Sequence, residues 1–321
     1  MKDKQGRNIN YIRVSVTDRC NLRCRYCMPE EGIVKKEHSE MLALEEIYKV
    51  IEACMPLGIN KVRLTGGEPL VRKGIVELIS KLSKLEQIKD IALTTNGVLL
   101  AEYADDLKKA GLSRVNISLD TLDGNKYRSI TRCGKIQDVL NGIEAAKACN
   151  LTPIKINTVL IGGFNDDEIE DFVNLTKYGN IDVRFIELMP IGQASSWTKD
   201  KFIPNSIVLD RVKELEEVEG YDPGSTARYY KLPDALGKVG LINPISHKFC
   251  SECNRIRLTA DGKLKPCLHS NQEIDIKSIL REDGGNLFSA IEAAVYSKPL
   301  QHNLEDKEYI PINRDMFRIG G

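Results

Sequence analysis

The chain has 321 residues, enough for one large domain or two smaller ones around a substantial core. Its 46 Lys and Arg balance 46 Asp and Glu, which argues against broad attraction to nucleic acid or to a membrane surface, and 6% aromatic residues make a poor stacking platform for single strands. No apolar run is long enough to cross a bilayer, and residues 1–10 lack the apolar centre of a secretory signal, so the expected compartment is the reducing cytoplasm.

The first two-thirds alternates β-branched runs with amphipathic stretches. Strands are expected at 12–16, 61–65, 91–95, 114–119, 154–160 and 183–188. Helices are expected between them, such as 44–57 stopped by Gly58 and 99–110 stopped by Gly111, glycine being the usual residue just past a helix end. Six strands separated by helices predict parallel βαβ units. Unusual polar residues cluster just after strand ends, at 20–27, 66–68, 94–97, 118–120 and 187–189. Several strand ends feeding one site favour an α/β barrel or partial barrel, because an open sheet gathers its ligands at one switch point. Past Pro190 the alternation fades, and 191–235 reads as irregular. The expected division is 1–190 and 191–321.

Nine cysteines, an odd number with no secretory signal, argue against a disulfide framework. Three of them form Cys20-x3-Cys24-x2-Cys27, and thiolates are the soft ligands that select zinc or iron–sulfur clusters. A closed zinc site wants four ligands, and the nearest candidate, His38, is remote. A four-iron cluster on three thiolates keeps one iron open. The second group, Cys250-x2-Cys253-x13-Cys267, leaves the same choice: His269 would complete a closed zinc site, or an open iron would face a substrate. Cys54 and Cys149 fall in helical patterns as small apolar residues, and Cys133 in a loop has no assigned role. His38, His247 and His302 read as ordinary structural histidines.

Cys-x3-Cys-x2-Cys followed by Gly66-Gly67-Glu68-Pro69 closely resembles the radical S-adenosylmethionine enzymes. The resemblance implies an incomplete (β/α)6 TIM-like barrel whose open side a C-terminal extension closes. It implies a first 4Fe–4S cluster on Cys20, Cys24 and Cys27, whose open iron chelates the amino and carboxylate groups of S-adenosylmethionine. Tyr26, Gly67, Thr94, Asn96, Ser118 and Met189 would surround that cosubstrate. Glycines at 66 and 67 have no side chains and would let a ligand approach the backbone.

The second cysteine group, the Cys253-Asn254-Arg255-Ile256-Arg257 stretch, Thr226-Ala227-Arg228-Tyr229-Tyr230, Arg184 to Met189 and the final Gly320-Gly321 resemble the branch of that family that rebuilds GTP in molybdenum cofactor biosynthesis. This implies a second 4Fe–4S cluster on Cys250, Cys253 and Cys267 with its open iron on the guanine. Arg13, Arg63, Thr94, Lys155, Arg255 and Arg257 would bind GTP, while Arg13, Arg255, Arg257, Gly320 and Gly321 would assist the radical step. The radical would take the C3′ hydrogen of GTP, and C3′ would then close onto C8. Implied partners are an external one-electron donor, the next enzyme of the pathway, and a second copy in a homodimer. Arg255 and Arg257 are one residue apart and point the same way in an extended segment. No phosphate-cradling loop of the Gly-x4-Gly-Lys-Ser/Thr type is present, so GTP is expected as substrate, not fuel. A peptide-modifying radical enzyme usually carries more C-terminal cysteines, and an electron carrier would saturate its clusters with cysteine.

Overall fold

The computed structural model of the chain describes residues 1–33, 36–218, 224–304, 312 and 314–320. Strands β1 (Tyr11–Ser15), β2 (Lys61–Thr65), β3 (Asp90–Thr95), β4 (Arg114–Ser118), β5 (Ile154–Leu160) and β6 (Ile181–Glu187) lie side by side in chain order, all parallel. All six coincide with the expected strands to within two residues. Helices cover the outer face, among them α1 (Leu44–Cys54), α2 (Ile75–Leu82), α3 (Leu100–Lys109), α4 (Gly124–Thr131), α5 (Ile136–Ala148) and α6 (Ile169–Asn174). Helix α1 buries Ile47, Val50, Ile51 and Cys54, one stripe at helical spacing, so Cys54 acts as the apolar residue expected. Its last turn tightens over Met55–Leu57 and stops at Gly58, whose φ of 87° is a left-handed value that glycine adopts without steric cost. No helix among the described residues is long and apolar enough to cross a membrane.

The C-terminal third is more regular than expected. It contributes β7 (Glu216–Glu217), β8 (Ala227–Lys231), β9 (Val239–Ile242), β10 (Arg255–Leu258), β11 (Lys263–Lys265) and β12 (Ile274–Asp275). Strand β9 adds parallel to β6, and β10 adds parallel to β1. The C-terminal region therefore extends both edges of the six-stranded sheet. Among the described residues the sheet runs β12-β11-β10-β1-β2-β3-β4-β5-β6-β9-β8-β7.

Strand side chains alternate between faces. On the outer face Ile12, Val14, Val62, Leu64, Ile91, Leu93, Val115, Ile117, Ile156, Val183 and Phe185 are buried in the core under the helices. The inner face is the reverse. Parallel register sets Tyr11 beside Arg255 and Lys61, and Arg13 beside Arg257 and Arg63. A closed (β/α) barrel fills its interior with Val, Ile and Leu. Here the interior is polar and charged, so it encloses a binding space.

The N-terminal segment locks this arrangement from outside. Buried Arg7 bonds Asp3 at 2.6 Å and donates to the carbonyls of Cys250 at 2.8 Å, Pro299 at 2.7 Å and Leu300 at 3.0 Å. Replacing Arg7 with Ala removes the ion pair to buried Asp3 and a donor from each of three carbonyls. We expect Arg7→Ala to lower unfolding stability by about 3 kcal/mol, read as a lower urea midpoint at unchanged slope.

Candidate active site

A cavity of about 770 Å³ fills the inner side of the sheet. Both cysteine triplets line it, the first from the loop after β1 and the second from the segments flanking β10 and β11. Arg13, Tyr26, Arg63, Gly67, Thr94, Asn96, Ser118, Lys155, Met189, Arg255 and Arg257 line it too. Of the remaining predicted residues, Gly320 accepts a hydrogen bond from Arg257 Nη1 at 2.9 Å, and Gly321 lies outside the described residues.

The loop after β1 is held by the end of β2. A Cβ on Gly66 would sit 2.6 Å from the Thr17 carbonyl oxygen, and one on Gly67 would sit 2.5 Å from that of Arg19. Gly67 N and Glu68 N donate to those same two carbonyls, at 2.7 and 2.8 Å. The two glycines therefore admit the cysteine loop as well as facing the cavity, a requirement that motif reading alone did not reveal. Glu68 is fully buried and accepts from Leu70 N, Thr95 Oγ1 and Asn96 N at 3.0, 2.8 and 2.7 Å. Burial raises its pKa to about 7 against the pull of those bonds. Thus braced, Asn96 donates to Asn21 Oδ1 at 2.7 Å and approaches Cys20 Sγ at 3.8 Å.

On the far wall Tyr26 donates to Asp120 Oδ2 at 2.7 Å, and Asp120 Oδ1 accepts from Val159 N at 2.9 Å. Burial raises Asp120 to about 6 although both bonds favour its charged form. Burial also pushes the first thiols up, Cys20 to about 11 and Cys27 to about 12, with the Cys20 thiol and Asp315 adding to the effect at Cys27. Thiolates here need compensating positive charge, which ligated irons bring. The sulfurs already have donors: Leu22 N to Cys20 at 3.3 Å, and the Phe317 N–H to Cys27. Among the described residues no three His, Cys, Asp or Glu side chains are arranged around a single metal ion. Two triplets of thiols spread around one cavity fit the larger body of an iron–sulfur cluster.

At the second triplet the electrostatics differ. Burial raises Cys253, but Lys298 and Arg255 overcome it and bring the thiol to about 7. Lys298 is almost fully buried, bonds the sulfur, and ties the carbonyls of Arg255 and Pro266 at 2.8 and 2.9 Å. His302 was read as an ordinary histidine, yet its backbone N–H donates to Cys250, and its ring lies 4.8 Å from that of His269. Burial, with His302, Arg257 and Lys265 adding to it, drives His269 to about 3, so it is neutral.

The cationic wall spans adjacent strands. Burial and the neighbouring arginines hold Arg13 well below its ordinary range, and burial holds Arg63 and Arg257 at about 10. Arg184 is buried and donates to Asn116 Oδ1 at 2.6 Å, which places it inside the site. Lys155 sits 3.4 Å from Asp182 and over the Tyr229 ring. Sequence reading missed Tyr11, Arg114 and Lys298. The first two share inward positions with Arg13 and Arg63 by strand alternation, and that signal was available.

The tail joins the two ends of the site. Arg314 clasps Asp261 and Glu273, with contacts from 2.6 to 3.1 Å. Met316 and Ile319 pack with Met189, Ile191 and Leu268. Gly320 has φ of 80°, and a Cβ there would lie 2.2 Å from Thr65 Oγ1. We expect Gly320→Ala to undock the tail by tenfold or more on the scale of the left-handed penalty and the overlap together. Hydrogen exchange at Phe317 and Arg318 should rise.

The model of the Radical SAM superfamily matches residues 14–176, and that of Molybdenum Cofactor Synthesis C matches residues 181–304. A GTP 3′,8-cyclase of Alkaliphilus oremlandii is 57% identical over 321 residues, covering 100% of both chains. One of Peptoclostridium acidaminophilum is 59% identical over 320 residues, covering 99% of this chain and 98% of the relative. Among solved structures, Streptococcus suis SuiB bound to S-adenosylmethionine aligns with a TM-score of 0.62 at 16% identity, over 97% of this chain and 77% of that one, a likeness of fold. The chain thus belongs to the radical SAM superfamily and, within it, to the GTP 3′,8-cyclase family.

Proposed function

We propose that the chain is a lyase that converts GTP and S-adenosylmethionine to (8S)-3′,8-cyclo-7,8-dihydro-GTP, 5′-deoxyadenosine and methionine, the first step of molybdenum cofactor biosynthesis. The observation that carries this reading is the common cavity of both thiol triplets, in which ten Lys and Arg face only four Asp and Glu. Such a wall suits a polyanion, and Arg binds phosphate through charge-assisted, often bidentate, hydrogen bonds.

When bound on the two triplets, 4Fe–4S clusters supply the electron that cleaves S-adenosylmethionine and an open iron for the guanine. The residues supply the rest. Asn96, held by Glu68, and Tyr26, held by Asp120, would fix the cosubstrate beside Cys20, Cys24 and Cys27 together with Gly67, Thr94, Ser118 and Met189. Arg13, Arg63, Lys155, Arg255 and Arg257 would neutralise the triphosphate, with Thr94 adding a hydroxyl. The Thr94 hydroxyl is buried with no partner among the described residues and so has one to offer. Gly320 would hold Arg257 while the tail keeps water from the reacting carbons. Taking the C3′ hydrogen, joining C3′ to C8 and restoring the ring consumes two electrons, one at each end of the sequence, and one proton. An external one-electron donor delivers them, and the next enzyme of the pathway takes the product. The division at about residue 190 separates the cosubstrate half, 1–190, from the half that carries Cys250, Cys253 and Cys267, 191–321.

The test is anaerobic reconstitution with iron and sulfide, followed by GTP, S-adenosylmethionine and dithionite. We expect 5′-deoxyadenosine and an acid-convertible pterin together, with the pterin lost in Cys267→Ala. Formation of 5′-deoxyadenosine without GTP consumption would overturn the GTP assignment. Zinc uptake with no cluster absorbance would overturn the radical chemistry altogether.

A further inference from the structure

Tyr11 is an aromatic residue set among cations. Its ring lies 5.4 Å from the Arg63 guanidinium carbon and 5.5 Å from that of Arg255, within cation–π range of both. The residue is only 8% exposed, lines the cavity, and its hydroxyl oxygen is buried with no hydrogen-bond partner among the described residues. A buried hydroxyl left unpaired is costly and calls for an explanation.

The surroundings restrict what that partner can be. Arg13, Arg63, Arg114 and Arg255 all bear on Tyr11, pulling its pKa down against burial. Guanidiniums donate only and have no acceptor to offer a phenol proton. At the same level of the sheet, two strands away beyond Lys61, Asp90 is occupied by both terminal nitrogens of Arg114. The Tyr11 proton therefore faces donors on the protein side and open cavity on the other. The missing group is an acceptor, and beside these guanidiniums it is an anionic one.

We propose that Tyr11 binds the substrate polyphosphate, its hydroxyl donating to a phosphate oxygen while its ring sets the spacing of Arg63 and Arg255 around the same group. The assignment rests on the GTP reading above. Tyr11 then differs from the arginines in kind. They supply charge to any anion, whereas a single neutral donor in a fixed ring selects where an oxygen sits.

The reconstituted enzyme separates these roles. Tyr11→Phe keeps the ring and removes the donor, and Tyr11→Leu removes both. Binding is measured by calorimetry with GTP, guanosine and inorganic tripolyphosphate. One hydrogen bond to a charged group corresponds to roughly 10- to 100-fold in affinity. Tyr11→Phe should lose that factor for GTP and tripolyphosphate and nothing for guanosine, with S-adenosylmethionine binding intact. Tyr11→Leu should lose more for the two polyphosphates, because Arg63 and Arg255 lose their spacer. Equal losses for guanosine and GTP, or no loss for tripolyphosphate in Tyr11→Phe, would overturn the proposal. Failure of the wild-type enzyme to bind GTP while it binds tripolyphosphate would refute the GTP reading instead and leave the phosphate contact standing.

Discussion

Arg13, Arg63 and Arg257 stand side by side on β1, β2 and β10, facing inward, and burial holds each of them below its ordinary pKa, with other arginines adding to the effect. Like charges brought together out of water repel more strongly than on a surface. The chain is neutral overall, yet the cavity wall carries ten cationic side chains against four acidic ones. That imbalance is possible only because the outer sheet face and its helices provide an apolar core that secures the strands independently of what lies inside. Folding thus sets up a positive interior whose mutual repulsion an anion held there would reduce.

Orientation depends on backbone as much as on charge. The loop with Cys20, Cys24 and Cys27 is fixed to the end of β2 by bonds that require glycine at 66 and 67. The tail reaches both ends of the cavity, with Phe317 N–H on Cys27 and the Gly320 carbonyl on Arg257. Residues from opposite ends of the chain therefore meet around a shared space, and the first and second triplets are held in one frame. Reactive intermediates need that enclosure, since an open site would let water or solvent reductants intercept them.

The parallel strands were legible because their outward residues form β-branched runs flanked by glycine-stopped helices. The C-terminal strands were not. Ala227 to Lys231 is short and carries charged residues, because one face looks into a polar cavity, and such a segment reads as irregular, while Arg255 to Leu258 reads as extended without showing which strand it joins. The cysteines, Arg13, Arg63, Lys155, Arg255 and Arg257 were found from motif and resemblance, and they do share one cavity. Tyr11 was overlooked although it precedes Arg13 by two positions on the same strand face. Lys298 and His302 were beyond reach, since only tertiary structure brings their segment against Cys250 and Cys253.

On the function proposed here, radical generation at the first thiol triplet and GTP at the second share one enclosed space. Deuterium at C3′ of GTP tests it most directly. Mass analysis of the 5′-deoxyadenosine formed by the reconstituted enzyme should show one deuterium per molecule, matched by an equal amount of cyclised product. Unlabelled 5′-deoxyadenosine formed alongside that product would mean the hydrogen comes from elsewhere, and the shared-cavity account would be wrong.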